Sequence, residues 1–179
     1  MAWTNRPVYN KSGEVDEIQA VGVDITGRKE KEDALQSREK LLNEMGKMAR
    51  IGGWELDCTT MLQVWTDETY NIHDRKKGKY NPNSSEELSR FEPGSKEIIE
   101  KAFEAALTRG KPYDLELEMT TVRGNRKWVR AECSPVVSEG KVIKLTGTLQ
   151  DITERKQGEE KLAKLAERHK LATESAGIG

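Results

Sequence analysis

One stretch of this chain is written twice. Asp24-Ile25-Thr26 returns as Asp151-Ile152-Thr153, 127 residues further on. At the same spacing Arg28-Lys29 matches Arg155-Lys156, Glu32 matches Glu159, and Leu35 matches Leu162. Gly13 and Val15 match Gly140 and Val142 upstream, and Ala49, Ile51 and Gly52 match Ala176, Ile178 and Gly179 downstream. Chance supplies a single tripeptide, but not a register held from Gly13 to Gly52. A fixed internal period means that the chain folds as repeated units, each a domain plus a connector. Only the first dozen residues drift, where Trp3 pairs best with Trp128 after a small gap.

The repeat divides the chain. Residues 1–26 read as the terminal hairpin of an upstream unit and 27–50 as a connector helix. Residues 51–153 read as one complete domain, 154–176 as its C-terminal helix, and 177–179 as the start of a further unit. Met1-Ala2 then reads as an expression start joined to a domain interior. Composition agrees: 35% hydrophobic and 34% charged residues, with mean hydropathy −0.80, suit one ordinary core flanked by solvated charged segments.

The same numbers exclude some partners. A formal net charge of −1 gives no global field toward nucleic acid or an anionic membrane. The basic run Arg75-Lys76-Lys77-Gly78-Lys79 has no interleaved aromatic residue and reads as a solvated loop. Cys58 and Cys133 form no ligand-spaced cluster, so both are expected buried and reduced, as in a cytoplasmic protein. No apolar run approaches the ~18 residues of a membrane span.

In the connectors, Leu35, Leu42, Met45 and Ala49 follow a seam-like spacing, as do Leu162, Leu165, His169 and Ala172. These helices either lie solvated or pair with a second copy. Together with Val8, Val15, Ile18 and Val21 of the hairpin they point to a homodimer.

The central domain alternates between two periods. Trp54, Leu56 and Cys58 mark a half-buried strand, and 62–65 a second. Ser84-Ser85-Glu86-Glu87 has capping-box spacing for a short helix. Ile98, Ile99, Ala102, Phe103, Ala106 and Leu107 line one face of a longer helix that Ser95 can cap and Gly110 ends. Three alternating strands follow, over 113–120, 128–133 and 143–149, separated by turns at 123–125 and 138–140. The fold class is α+β: a five-stranded antiparallel sheet with helices on one face, flanked by connector helices.

That order and its motifs resemble the PAS domain family, in the Trp-rich subgroup that ends in a PAC motif. The carrying residues are Gly53-Trp54-Glu55-Leu56-Asp57, Trp65-Thr66-Asp67-Glu68-Thr69-Tyr70 and Lys111-Pro112-Tyr113-Asp114-Leu115-Glu116. Gly124 before Trp128-Val129-Arg130 and the closing Asp151-Ile152-Thr153 complete the set. The resemblance implies a sensory, relay or dimerisation module of a multi-PAS signalling protein. Its state would pass through the C-terminal helix to a histidine kinase, a cyclic-dinucleotide enzyme or another PAS domain. The resemblance also pairs Asp151 with Arg130, which would link sheet to helix, whereas the spacing by itself gives Asp151 and Thr153 only a helix-capping role.

Cofactor signals are weak. Neither cysteine has the Asn-Cys-Arg context of covalent flavin members, and the longer helix has no histidine to ligate haem. His73 reads as an exposed loop histidine, and His169 lacks the surroundings of a phosphoacceptor. No nucleophile–base pair, phosphate loop or metal cluster indicates catalysis. The apolar set Trp54, Leu56, Val64, Tyr70, Ile72, Phe103, Leu115, Leu117, Val129, Ala131, Leu145, Gly147 and Leu149 either lines a small-molecule pocket or forms a filled core. Small side chains at Ala131 and Gly147 leave room on the inner face.

Overall fold

A computed structural model describes the backbone of residues 2–176 and the side chains of residues 2–171. The expected start of a further unit at 177–179 lies outside the described residues. The chain divides into two compact units, residues 1–42 and 43–179.

The first unit holds the antiparallel hairpin of β1 (Ala2–Tyr9) and β2 (Val15–Val23), with most of α1 (Thr26–Ala49). No side chain from residue 2 to residue 42 is buried.

The second unit holds a sheet of order β4-β3-β7-β6-β5, all pairs antiparallel. Its strands are β3 (Ile51–Asp57), β4 (Gln63–Trp65), β5 (Tyr113–Thr120), β6 (Arg126–Ser138) and β7 (Lys141–Asp151). Three helices, α2 (Asp67–Ile72), α3 (Ser84–Leu88) and α4 (Pro93–Arg109), separate β4 from β5. α2 lies on β3, β4 and β7, and α4 on β5, β6 and β7. The last helix, α5 (Thr153–Ala176), leaves β7. Period-two alternation sends Leu117, Met119, Val129, Ala131, Cys133, Leu145 and Leu149 inward, where they are buried with Ile99 and Ala106 of α4.

The repeat extends to backbone register. β1–β2 bulges between Val8 and Tyr9, opposite Glu17 and Val15. β6–β7 bulges between Val136 and Val137, opposite Lys144 and Val142, the same positions of the unit. The first strand of each hairpin therefore matches at an offset of 128, which aligns Pro7-Val8 with Pro135-Val136. Trp3 corresponds to Ala131 and not to Trp128, as the drifting sequence had suggested, because the upstream turn is one residue longer. Trp3 faces Gly22, where the second unit has Ala131 facing Leu149. The large and small partners have changed places.

Two local readings are corrected. The capping residue of α3 is Asn83, whose side chain accepts from the amides of Ser85 and Glu86 at 3.0 and 3.4 Å. That frees Glu87 to turn inward. Ser95 does not cap α4; Pro93 opens the helix, and the Ser95 hydroxyl accepts the Glu118 amide of β5 at 3.0 Å. Gly110 ends α4 in the left-handed conformation, φ 62°, as its position predicts.

Candidate functional site

The Gly-Gly-Trp opening of β3 builds one side of the interior. A Cβ on Gly52 would stand 2.4 Å from the Thr69 amide nitrogen, so only glycine lets α2 sit directly on the strand. Gly53 N–H donates to Thr66 Oγ1 at 2.9 Å, and Thr69 Oγ1 donates to the Gly53 carbonyl at 2.8 Å. Across the ladder, Trp54 faces Gly147 and its ring lies where a Gly147 Cβ would be, 2.5 Å away. Gly147 therefore opens no space: the Glu132 carbonyl, 2.0 Å from that Cβ position, and the Trp54 indole have taken it.

The space that remains is a cavity of about 70 Å³ between sheet and helices. Trp54, Phe103, Ala131 and Leu149, from the sequence-derived set, line it. Leu56, Tyr70, Ile72, Leu117, Val129 and Leu145 are buried in the packed core, with Leu115 packed partly against it. Val64 is 64% exposed and cannot belong to a pocket. In β4 the inward positions are Gln63 and Trp65, so alternation turns Val64 to solvent.

Several lining residues carry no pattern that sequence periodicity detects. Trp65, Thr69, His73 and Glu87 all reach the cavity wall, as does Tyr113 from the alternating face of β5. His73 is 5% exposed, and so is not a loop histidine on the surface. It stacks on Trp65, 4.6 Å between ring centroids and 18° from parallel. Its Nδ1 lies 2.8 Å from Glu87 Oε2, and Glu87 Oε1 accepts Arg75 Nη2 at 2.8 Å. Arg75 also pairs with Glu86 and covers the Tyr80 ring at 3.8 Å, so the basic run starts with an anchored residue and not a solvated one. Burial pushes the Glu87 carboxyl upward, but His73, Tyr80 and Arg75 outweigh it and hold the group down at about 2. The Trp65 Nε1 donor is buried with no partner among the described residues. Helix, loop and helix are thus clasped around one buried carboxylate.

Both thiols are held toward the neutral form, Cys133 buried and Cys58 half-buried. Burial raises Cys133 to about 11 and lifts Cys58 as well, and neither lines the cavity. At about 70 Å³ this cavity is several times smaller than the ~300 Å³ at which small-molecule pockets usually begin.

The end of the sheet is wired differently from the expectation. Asp151 Oδ1 accepts the Thr153 amide at 3.0 Å, and the Thr153 hydroxyl accepts the Trp128 amide at 3.1 Å. The cap reading describes the contacts of Asp151; the Thr153 hydroxyl instead ties the helix start to the β6 backbone at Trp128. Arg130, however, binds Asp114 at 2.6 Å and Glu132 at 2.9 Å; the cation nearest Asp151 is Lys127, at 3.6 Å. Asp24 holds the Thr26 amide at 2.9 Å, so the first copy uses the same cap. Arg50 closes the junction: its carbonyl accepts the Asp151 amide at 3.1 Å and its guanidinium meets Glu154 at 2.8 Å.

Comparison with known proteins gives a consistent picture. Residues 84–157 match the family described as PAS fold. Sensor protein FixL of Bradyrhizobium diazoefficiens is 31% identical over 111 residues, 61% of this chain and 22% of that protein. The probable diguanylate cyclase DgcE of Escherichia coli is 29% identical over 144 residues, 80% of this chain and 13% of that one. The chain thus spans less than a quarter of either relative. A sensory box histidine kinase/response regulator structure from Burkholderia thailandensis superposes with TM-score 0.59 at 19% identity, over 72% of this chain and 97% of that one. The N-terminal domain of a diguanylate cyclase with PAS/PAC sensor from Marinobacter aquaeolei gives 0.53 at 17% identity, over 59% and 97%. These likenesses are of fold. From β3 to the cap of α5 the second unit has the fold of those two structures, and residues 84–157 within it match the PAS fold family.

Proposed function

We infer that this domain is a sensory or regulatory module in a larger signal-transduction protein, and that its state is read through α5. The observation that carries this reading is the continuous connection from the cavity wall to the helix. Ala131 and Leu149 line the cavity from β6 and β7, and the same two strands hold the cap through Trp128 and Asp151. The relatives named as a sensor protein and a probable diguanylate cyclase support a signalling context. In this reading residues 1–26 complete an upstream PAS domain, which the shared bulge supports, and α5 leads to a further domain or an output domain.

A cavity of about 70 Å³ has room for a few waters or a very small ligand. Its apolar walls and the unpartnered Trp65 Nε1–H favour a small, largely apolar molecule with one hydrogen-bond acceptor. A second reading, relay without a ligand, rests on the Trp54 ring that already fills the space over Gly147. Native mass spectrometry separates them: a co-purifying small molecule lost in Ala131→Leu supports sensing, and a bare chain mass supports relay.

Exposed Leu35, Leu42, Met45, Leu162 and Leu165 on the connector helices support a homodimer in this reading. Two unpaired thiols suit a cytoplasmic setting. Among the described residues no helix is long and apolar enough to cross a membrane. Among the described residues no group of three or more His, Cys, Asp and Glu side chains could hold a metal ion.

A further inference from the structure

We propose that Glu116 is a positioning residue that sets the direction in which α5 leaves the domain, and that β5 carries this setting from the cavity. The coupling half of this inference rests on the reading given under Proposed function; the seat itself does not. The cap at Asp151 and Thr153 fixes where α5 begins, but one fixed end leaves a helix free to swing. A second attachment, away from the first, is what defines a direction.

Glu116 supplies it. The residue sits on the solvent face of edge strand β5, two strands from β7, so roughly 10 Å across the sheet. Its carboxylate takes Arg155 at 2.5 Å and Lys156 at 2.6 Å, both from the first turn of α5. Lys156 Nζ also lies 4.9 Å from the centre of the Trp128 ring, on the strand between. Arg155 is held in turn by Glu159 at 2.6 Å. The helix is therefore tied to β7 by its cap, to β6 by Trp128, and to β5 by Glu116. Arg155 and Lys156 pull the Glu116 carboxyl below its usual range, against slight desolvation. The same Arg-Lys pair follows the first cap as Arg28-Lys29, so the cationic half of the seat belongs to the repeated unit.

β5 is built to transmit. Its C-terminal half is pinned on the open side: the Glu118 carbonyl accepts the Glu92 amide at 2.9 Å, the Thr120 amide donates to the Arg90 carbonyl at 2.9 Å, and Ser95 holds the Glu118 amide. Its N-terminal half, Tyr113 to Glu116, has only β6 as ladder partner. Tyr113 is a cavity wall residue, and Glu116 lies three positions along the same strand on the opposite face. A molecule that displaced Tyr113 would move the helix seat with it.

The test uses the full chain and amide hydrogen exchange read by mass spectrometry. Glu116→Gln is expected to raise exchange of amides 156–160 by about fivefold, in line with the loss of a small network of exposed ion pairs. The urea midpoint should not move, since no buried contact is lost. Reversing the charges, with Glu116→Lys, Arg155→Glu, Lys156→Glu and Glu159→Lys together, should restore protection, since Glu159 pairs with both cations and must be reversed with them. In 0.5 M NaCl the wild type should drift toward Glu116→Gln, because exposed pairs are screened. Unchanged exchange in Glu116→Gln, or no recovery in the fully reversed variant, would overturn the seat. The coupling is tested by Tyr113→Phe and Tyr113→Ala: transmission predicts that Tyr113→Ala alone alters exchange at 156–160, and identical exchange in both would overturn it whether or not a ligand is ever found.

Discussion

Arg130 and Asp151 lie on opposite faces of one sheet. Arg130 is in register with Gln150 and Val129 with Asp151, so the pleat sends the arginine to solvent and the aspartate to the inner face beside Lys127. Neighbouring positions on adjacent strands are close in space and still cannot pair when their parity differs.

The consequence is additivity. Asp151→Ala should cost about 1 kcal/mol, the usual loss of a helix cap, and fray the start of α5. Arg130→Ala should leave the Asp151 cap intact, because its hydrogen-bonding partners Asp114 and Glu132 are on the sheet and its charge reaches α5 only through the facing Glu116. In a double-mutant cycle on urea midpoints the two effects should simply add. A measurable coupling would restore the pairing that the resemblance implied.

Acid sensitivity should come from Glu87. Its carboxyl sits at about 2 in the folded domain against 4.5 as a free side chain. A depressed value contributes stability that is complete above pH ~4.5 and is lost as pH falls toward 2. The difference amounts to roughly 3 kcal/mol over that window. Glu87→Gln should remove this part of the pH dependence. It should also lower stability at neutral pH by about 2–4 kcal/mol, because His73 and Arg75 lose the buried charge between them and one of its two oxygens becomes an NH2 donor. Urea titrations of both proteins at pH 6 and pH 3 decide it, with parallel losses counting against the clasp.

The seat of α2 should tolerate no side chain at Gly52. An alanine Cβ would lie 2.3 Å from Thr69 Oγ1 and 2.6 Å from Thr69 Cα, and backbone cannot rotate away. Overpacking of this kind costs about 1–3 kcal/mol. Gly158→Ala on α5, with nothing within 4 Å, should instead strengthen its helix by about 0.5–1 kcal/mol. Thermal unfolding followed at the sheet for Gly52→Ala, and at the helix for Gly158→Ala, checks both signs.

How much of this was legible in the sequence follows from what each pattern encodes. Period-two runs gave β5, β6 and β7 with their inward faces, since alternation reports burial directly. The repeat gave the two caps, and Asp24 and Asp151 do make the same bond. Periodicity failed at Val64, where a three-residue strand is too short to show which parity is inward. It also failed at His73 and Glu87, 14 positions apart across an irregular loop, because a polar residue buried by one specific partner leaves no periodic trace. Gly147 was misread because a small residue signals either a void or a large neighbour. Only the structure shows Trp54 above it. One signal was present and unused: Pro7-Val8 against Pro135-Val136 at an offset of 128 marks the hairpin register.

The hairpin of the first unit should be weakly protected. A two-stranded hairpin is marginal in water unless a face is covered, and Trp3, Ile18 and Val21 are each 60% exposed or more. In the full chain at low concentration, amides of β1 and β2 should therefore exchange at least about 10³-fold faster than those of β6 and β7, which open only with the whole core. Hydrogen exchange read by mass spectrometry checks it across a dilution series. If protection of β1 and β2 instead rose with protein concentration, a second copy would be covering the face that Trp3 and Ile18 present.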